Sequence, residues 1–291
     1  MRAAMAIDPD RLLAAEIPAV EQQYDWRQCV LYALGIGAGL DPEDGLDLPF
    51  VDETRLKVAP TFACVLADPG FWMRDLPLGL DWLRTVHGEQ SMRVHRPLAG
   101  RASVRGVTRI VDVADKGRDK GALIYAEREL IDLADGAPLA TLSQTVFCRG
   151  DGGFGGKPSA RPPPPPVPAR APDASVHART SLQSALIYRL SADLNPLHID
   201  PAVARRAGFP RPILHGMASF GAVGQALVKA CCGGEPAAVR GMGGRFSAPV
   251  FPGETVRVDI WRAGPGRAAF QARVAARDVV VMDNGTFDYE A

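Results

Sequence analysis

The run Ile213-Leu-His-Gly-Met-Ala-Ser-Phe-Gly-Ala-Val-Gly-Gln-Ala-Leu-Val-Lys-Ala-Cys-Cys232 reads as a helix that is apolar on almost every side. Such a helix has no solvent face, so other elements must cover it all round. The neighbouring sequence supplies the cover. Strand-rich runs follow at Arg245 to Pro249, Thr255 to Arg262, Ala268 to Ala276 and Val279 to Met282. A short helical stripe at Leu182, Ala185, Leu186 and Leu190 precedes it, then a turn-rich segment from Ser191 to Pro201.

The first half repeats the plan. Helical spacing of Trp26, Val30, Leu31 and Leu34 predicts a helix within Gln22 to Gly37, and a second helix is predicted to begin at Pro60. Strand patterns then cover Ser91 to Arg96, Ala102 to Val113, Ala122 to Leu133 and Leu139 to Cys148. Between the halves lie Gly152-Gly-Phe-Gly-Gly156 and the proline run after Arg161, read as a flexible then extended linker. The division is residues 1–150, a linker 151–174, and 175–291. A buried helix wrapped by an antiparallel sheet is the hotdog arrangement. The expected fold is therefore α+β, a double hotdog in which each of two antiparallel sheets wraps a central helix.

Balanced charge, net zero, excludes a broadly basic surface for nucleic acid. No stretch of about 20 uncharged apolar residues is present, and the first ten residues lack an apolar signal core, so neither a membrane span nor secretion is expected. Five scattered cysteines without a C-x-x-C pair point to a reduced, cytoplasmic protein. The terminal Tyr289-Glu-Ala291 is not a peroxisomal address.

Chemistry concentrates in Asp193-Leu-Asn-Pro-Leu-His198. The Asn195-Pro196 step breaks a helix and curls the chain, which can aim Asp193 and His198 at one spot. A carboxylate and an imidazole there can hold and polarise a water, and histidine suits proton transfer near neutrality. Alternatively, Asp193 and Asn195 are turn-makers bonding their own backbone, and His198 covers a helix end. The spacing is not that of metal ligands, so no metal is expected. At Pro210-Arg-Pro-Ile-Leu-His215-Gly216 the prolines set the start of the long helix, whose first N–H groups can stabilise a developing enolate, with Gly216 allowing close approach. His215 itself reads as structural. The glycines at Gly241-Met-Gly-Gly244 lack dinucleotide spacing, and no cofactor is expected.

The run Gln183 to Pro201, continued by Ala207 to Met217 and by Arg245-Phe-Ser-Ala-Pro-Val-Phe-Pro-Gly-Glu-Thr255, resembles the hydratase 2 motif of MaoC-like, (R)-specific enoyl-CoA hydratases. Pro60-Thr-Phe62, His87-Gly-Glu-Gln90 and Gly150-Asp-Gly-Gly-Phe-Gly-Gly156 are similar to two-domain members, including the hydratase part of peroxisomal multifunctional enzyme type 2. The resemblance spans nearly the whole chain. It implies one active site, in the second half, with Asp193 and His198 as catalytic pair and the Gly216 amide on the thioester carbonyl. It also implies His87 and Gly88 in the substrate cleft, Lys116 on a coenzyme A phosphate and Phe246 against the ligand, and the Asn195 amide, counted with them as substrate-binding, can hydrogen-bond the loop or a ligand. The expected reaction is reversible hydration of trans-2-enoyl-CoA to (R)-3-hydroxyacyl-CoA by a homodimer. A thioesterase, a hydratase of branched or dicarboxylic substrates, and a non-catalytic acyl-CoA-binding subunit are the alternatives. One departure stands out: Ala192 replaces the usual glycine before the catalytic aspartate. If that position needs a positive φ, the alanine costs on the order of 1 kcal/mol.

Overall fold

A computed structural model describes residues 7–155, 161–162, 164–191 and 193–291. Ten strands form one antiparallel sheet: β1 (Val20–Tyr24), β2 (Thr85–Val94), β3 (Ala102–Asp115), β4 (Ala122–Asp132), β5 (Pro138–Cys148), β6 (Ala174–Arg179), β7 (Val239–Phe246), β8 (Thr255–Arg262), β9 (Arg267–Val274) and β10 (Val279–Tyr289). Their order is β1-β3-β4-β5-β2-β7-β10-β9-β8-β6. From either outer edge inward, the five strands of each half follow the same sequence of connections, which is the double hotdog plan. The halves meet at the β2–β7 seam, where Gln90 pairs with Gly244 and Met92 with Met242. The two sheets expected from sequence are thus one, because β2 and β7 pair through their backbones.

Among the described residues, six α-helices accompany the sheet: α1 (Pro9–Leu13), α2 (Trp26–Gly35), α3 (Trp72–Asp75), α4 (Ser184–Tyr188), α5 (Pro201–Arg206) and α6 (Gly216–Cys232). The helix predicted at Ile213 is α6, starting after the prolines, buried at every residue from Ala218 to Val228 and stopped by the left-handed Gly233. Among the described residues, the first half has no equal of it. Pro60 opens only a 3-10 segment, Pro60–Val65, buried along its whole length against α6. The run ends where Leu66 becomes extended (ψ 136°) and Ala67 takes a left-handed φ of 47°. The helix expected from Gln22 is shorter and follows a strand. Asp25 caps α2 in a reciprocal capping box with Gln28, so the residues before it are free to pair as β1.

One apolar core runs through both halves, with Tyr24, Tyr32 and Phe62 meeting Tyr188, Phe220 and Phe270. A smaller cluster under α1 and α3 joins Leu12, Trp72, Leu80, Ile110 and Ile124. The halves are locked by close approach of α6 to α2: a Cβ added at Gly221 would lie 2.5 Å from Ile36 Cγ2 and 2.8 Å from Tyr32 Oη. Gly221→Val is therefore expected to cost about 1–3 kcal/mol by overpacking. A lowered midpoint in urea unfolding checks this, and an unchanged midpoint would show that the contact yields freely.

Two expectations change here. Leu182, Leu186 and Leu190, read as a helical stripe, are exposed, and Ala185 and Tyr188 face the core instead. The glycine-rich start of the linker is also held in place. Asp151 accepts the Asp81 N–H, Phe154 packs on the smaller core, and the Gly153 and Gly155 N–H groups each bond the Asp115 carboxylate at 2.8 Å. Ala192 and residues 156–160 and 163 of the linker lie outside the described residues.

Candidate active site

The segment 193–198 folds as nested turns. Asp193 Oδ1 accepts the Asn195 N–H at 2.8 Å, and Asn195 Oδ1 accepts the Leu197 N–H at 3.0 Å, capping the 3-10 turn Pro196–His198. Both turn-making bonds foreseen as an alternative are real, and they coexist with the pairing. Asp193 Oδ2 lies 3.8 Å from His198 Nε2, too long for a direct hydrogen bond but a gap that one water can bridge. The His198 side chain is 8% exposed and that of Asp193 53%, so the pair spans from core to solvent.

Two carbonyls orient the imidazoles. His198 Nδ1–H donates to the Ile213 carbonyl at 2.8 Å, which leaves Nε2 as the acceptor facing Asp193. His215 Nε2–H donates to the Asp193 carbonyl at 3.0 Å. The His215 ring stacks on His198 with centroids 3.7 Å apart and planes 28° apart. His215, read from sequence as structural, therefore ties the Asp193–His198 turn to the start of α6. Its place just before Gly216 was the one sequence signal for this.

Burial is the main cause that lowers the His198 pKa, offset in part by the Ile213 carbonyl and the Asp193 charge. Burial and the neighbouring His198 push His215 down to about 4. Both rings are thus neutral near pH 7, as a base at Nε2 requires. If His198 takes a proton in catalysis, kcat/KM falls as pH drops through its lowered pKa. The acid limb of the pH profile is expected below 6.5, and a limb above 6.5 would contradict this role.

Asp193, His198 and His215 could each offer a ligand atom within 4.8 Å of the others. The rings are stacked in planes only 28° apart, so lone pairs lying in those planes converge poorly on one ion, and one nitrogen of each ring is already bonded to a carbonyl. The donor set fits proton transfer better than coordination.

Gly216 is the first helical residue of α6, and the extended His215 (ψ 136°) leads into it. The Phe246 ring covers it, 3.5 Å from where a Cβ would stand. His87 meets Phe246 edge to face, with centroids 5.0 Å apart, and donates from Nε2 to the Glu89 carbonyl at 3.1 Å. Gly88 is the extra residue of a β-bulge, between the pairs His87–Val146 and Glu89–Thr145, and so re-aims His87. The fold thereby brings His87, Gly88 and Phe246 to the start of α6 from both sides of the seam. Lys116 is placed apart from them, exposed on the turn between β3 and β4. His95 and His177 are exposed on the surface.

Comparison with known proteins agrees with this architecture. Residues 165–284 match the MaoC like domain, and residues 22–150 match the MFE-2 hydratase 2 N-terminal domain. The chain is 40% identical to 3-hydroxyacyl-thioester dehydratase Y of Mycobacterium tuberculosis, covering 99% of this chain and all of the relative. It is 37% identical to the peroxisomal enoyl-CoA hydratase 2 of Arabidopsis thaliana, covering 94% and 93%. Among solved structures, the MaoC-like dehydratase from Phytophthora capsici superposes with a TM-score of 0.83 at 35% identity, covering 96% and 98%. With both halves matched in order and full-length relatives at this identity, the chain belongs to the two-domain, MaoC-like hydratase 2 family.

Proposed function

We propose that the chain is an (R)-specific enoyl-CoA hydratase. The observation that carries this reading is the Asp193–His198 gap of 3.8 Å, with the α6 N-terminus reached through the stacked His215. A water held in the gap gives a proton to the pair at His198 Nε2 as its oxygen bonds to C3 of a trans-2-enoyl thioester. The C2–C3 π bond breaks toward the carbonyl, and the Gly216 N–H stabilises the enolate oxygen. The pair then returns a proton to C2, so the enzyme ends in its starting protonation state. Dehydration of the 3-hydroxyacyl thioester is the same path reversed. The relatives' names, an enoyl-CoA hydratase and a 3-hydroxyacyl-thioester dehydratase, describe these two directions.

Asn195 serves by holding the turn, His87, Gly88 and Phe246 wall the thioester, and Lys116 meets a coenzyme A phosphate. The division follows residues 1–150, 151–174 and 175–291, with chemistry in the last part and the acyl chain lodged against the first. The short Pro60–Val65 segment beside α6 supports that placement. A cytoplasmic homodimer completes the reading. Five unbonded cysteines suit a reducing compartment, and the exposed Leu182, Leu186, Leu190 and Leu194 beside the catalytic turn suit a covered face. Among the described residues no helix is long and apolar enough to cross a membrane.

The test is loss of the conjugated absorbance of crotonyl-CoA, with chiral analysis of the product. An (S) product, or release of free thiol without hydration, would overturn the assignment.

A further inference from the structure

Lys116, Arg118 and Lys120 are exposed together on the turn between β3 and β4, and none of the three forms an ion pair with a described residue. Asp119 is exposed between Arg118 and Lys120, and Asp115, which precedes the turn, bonds its carboxylate to the backbone of turn and loop. Its Oδ1 accepts the N–H groups of Gly117 and Gly153, and its Oδ2 accepts that of Gly155, all at 2.8 Å. The Lys116 N–H bonds the Gly121 carbonyl at 2.9 Å, closing the turn.

The loop 150–155 behind it is a fixed support. Phe154 is packed on the smaller core, and Asp151 holds the Asp81 N–H. Contact between loop and turn is close: a Cβ at Gly152 would stand 2.2 Å from the Gly117 carbonyl oxygen, nearer than any side chain permits. Gly153 has φ +88°, which an L side chain rarely adopts, and that conformation turns its N–H toward Asp115.

We propose that Asp115 is a positioning residue for coenzyme A. It clamps the cationic turn onto the glycine-rich loop and so presents Lys116, Arg118 and Lys120 to the phosphates of the nucleotide end. The proposal rests on the hydratase reading above and extends it to residues outside the catalytic pair. Backbone N–H groups from the turn (Gly117) and from the loop (Gly153 and Gly155) converge on the one Asp115 carboxylate, so it ties the two segments together. The place suits the ligand. Cys148 pairs with both Thr85 and Ala122, so the turn lies at the end of the sheet where β2 carries His87. By strand spacing and rise it stands roughly 15 Å from that residue. The pantetheine arm and pyrophosphate of coenzyme A can cover that separation.

The experiment compares crotonyl-CoA with crotonyl-pantetheine, the same thioester without the nucleotide, in the wild type and in Asp115→Asn and Asp115→Ala. The expected result is that the ratio of the two KM values rises about tenfold, the size of one lost charge-assisted contact. In a Lys116→Ala/Arg118→Ala/Lys120→Ala background the Asp115 substitution should change that ratio no further, because its effect passes through the turn. Calorimetric titration with 3′,5′-ADP, which needs no turnover, should show the same tenfold weakening in the single variants. An unchanged ratio with unchanged 3′,5′-ADP affinity overturns the clamp. A uniform rise in both KM values also overturns it, since a merely structural Asp115 would act on both thioesters alike. If the wild type hydrates neither thioester, the hydratase reading falls, and the 3′,5′-ADP titration still decides the clamp.

Discussion

Asp193→Asn is expected to lower kcat for crotonyl-CoA hydration by about 10²- to 10⁴-fold, the range for loss of a general acid–base group. The fold should not suffer. The Asp193 side chain is 53% exposed, and an asparagine Oδ1 can still accept the Asn195 N–H that the carboxylate now accepts at 2.8 Å. What disappears is the ability to exchange a proton in the gap to His198. Initial rates together with a thermal melt check this. A variant that melts like the wild type and keeps its kcat would reduce Asp193 to a turn-maker, the alternative that the sequence also allowed.

Gly216→Pro should cost about 10²- to 10³-fold in kcat, as for removal of one oxyanion donor, while α6 survives. Gly216 is the first helical residue, where proline is favoured because that N–H has no partner within the helix. His215, at φ −56° and ψ 136°, already has the conformation required of a residue before proline. The substitution therefore removes an N–H without breaking the helix. Gly216→Ala is the matched control. It keeps the N–H, and its Cβ would meet Phe246 at 3.5 Å, an ordinary contact. If both variants have equal kcat, the enolate is stabilised elsewhere.

What sequence reasoning read well follows from local rules. The α6 run is apolar all round, so burial was forced, and the Asn195-Pro196 step had to curl the chain between Asp193 and His198. Other elements misled for equally local reasons. Leu182, Leu186 and Leu190 recur at helical spacing, but spacing says nothing about which side the core is on, and here Ala185 and Tyr188 take it. β1, Val-Glu-Gln-Gln-Tyr, and β6, Ala-Ser-Val-His-Ala-Arg, are edge strands with few apolar residues, and they went unseen because each gains its place by pairing with β3 or β8. The glycines at 152–155 looked flexible, since nothing local shows that Asp115 will collect their N–H groups.

By itself, then, the sequence determined a wrapped helix, a repeated antiparallel plan and a loop able to pair a carboxylate with an imidazole, because each depends on periodicity or backbone stereochemistry within a few residues. Tertiary structure alone decided the rest. The Ile213 carbonyl selects the His198 tautomer from fifteen residues away. His215 reaches back to the Asp193 carbonyl. The β2–β7 seam carries His87 from the first half to Phe246 over Gly216. These are contacts between groups distant along the chain, and they exist because burying α6 against both halves of one sheet brings those groups together.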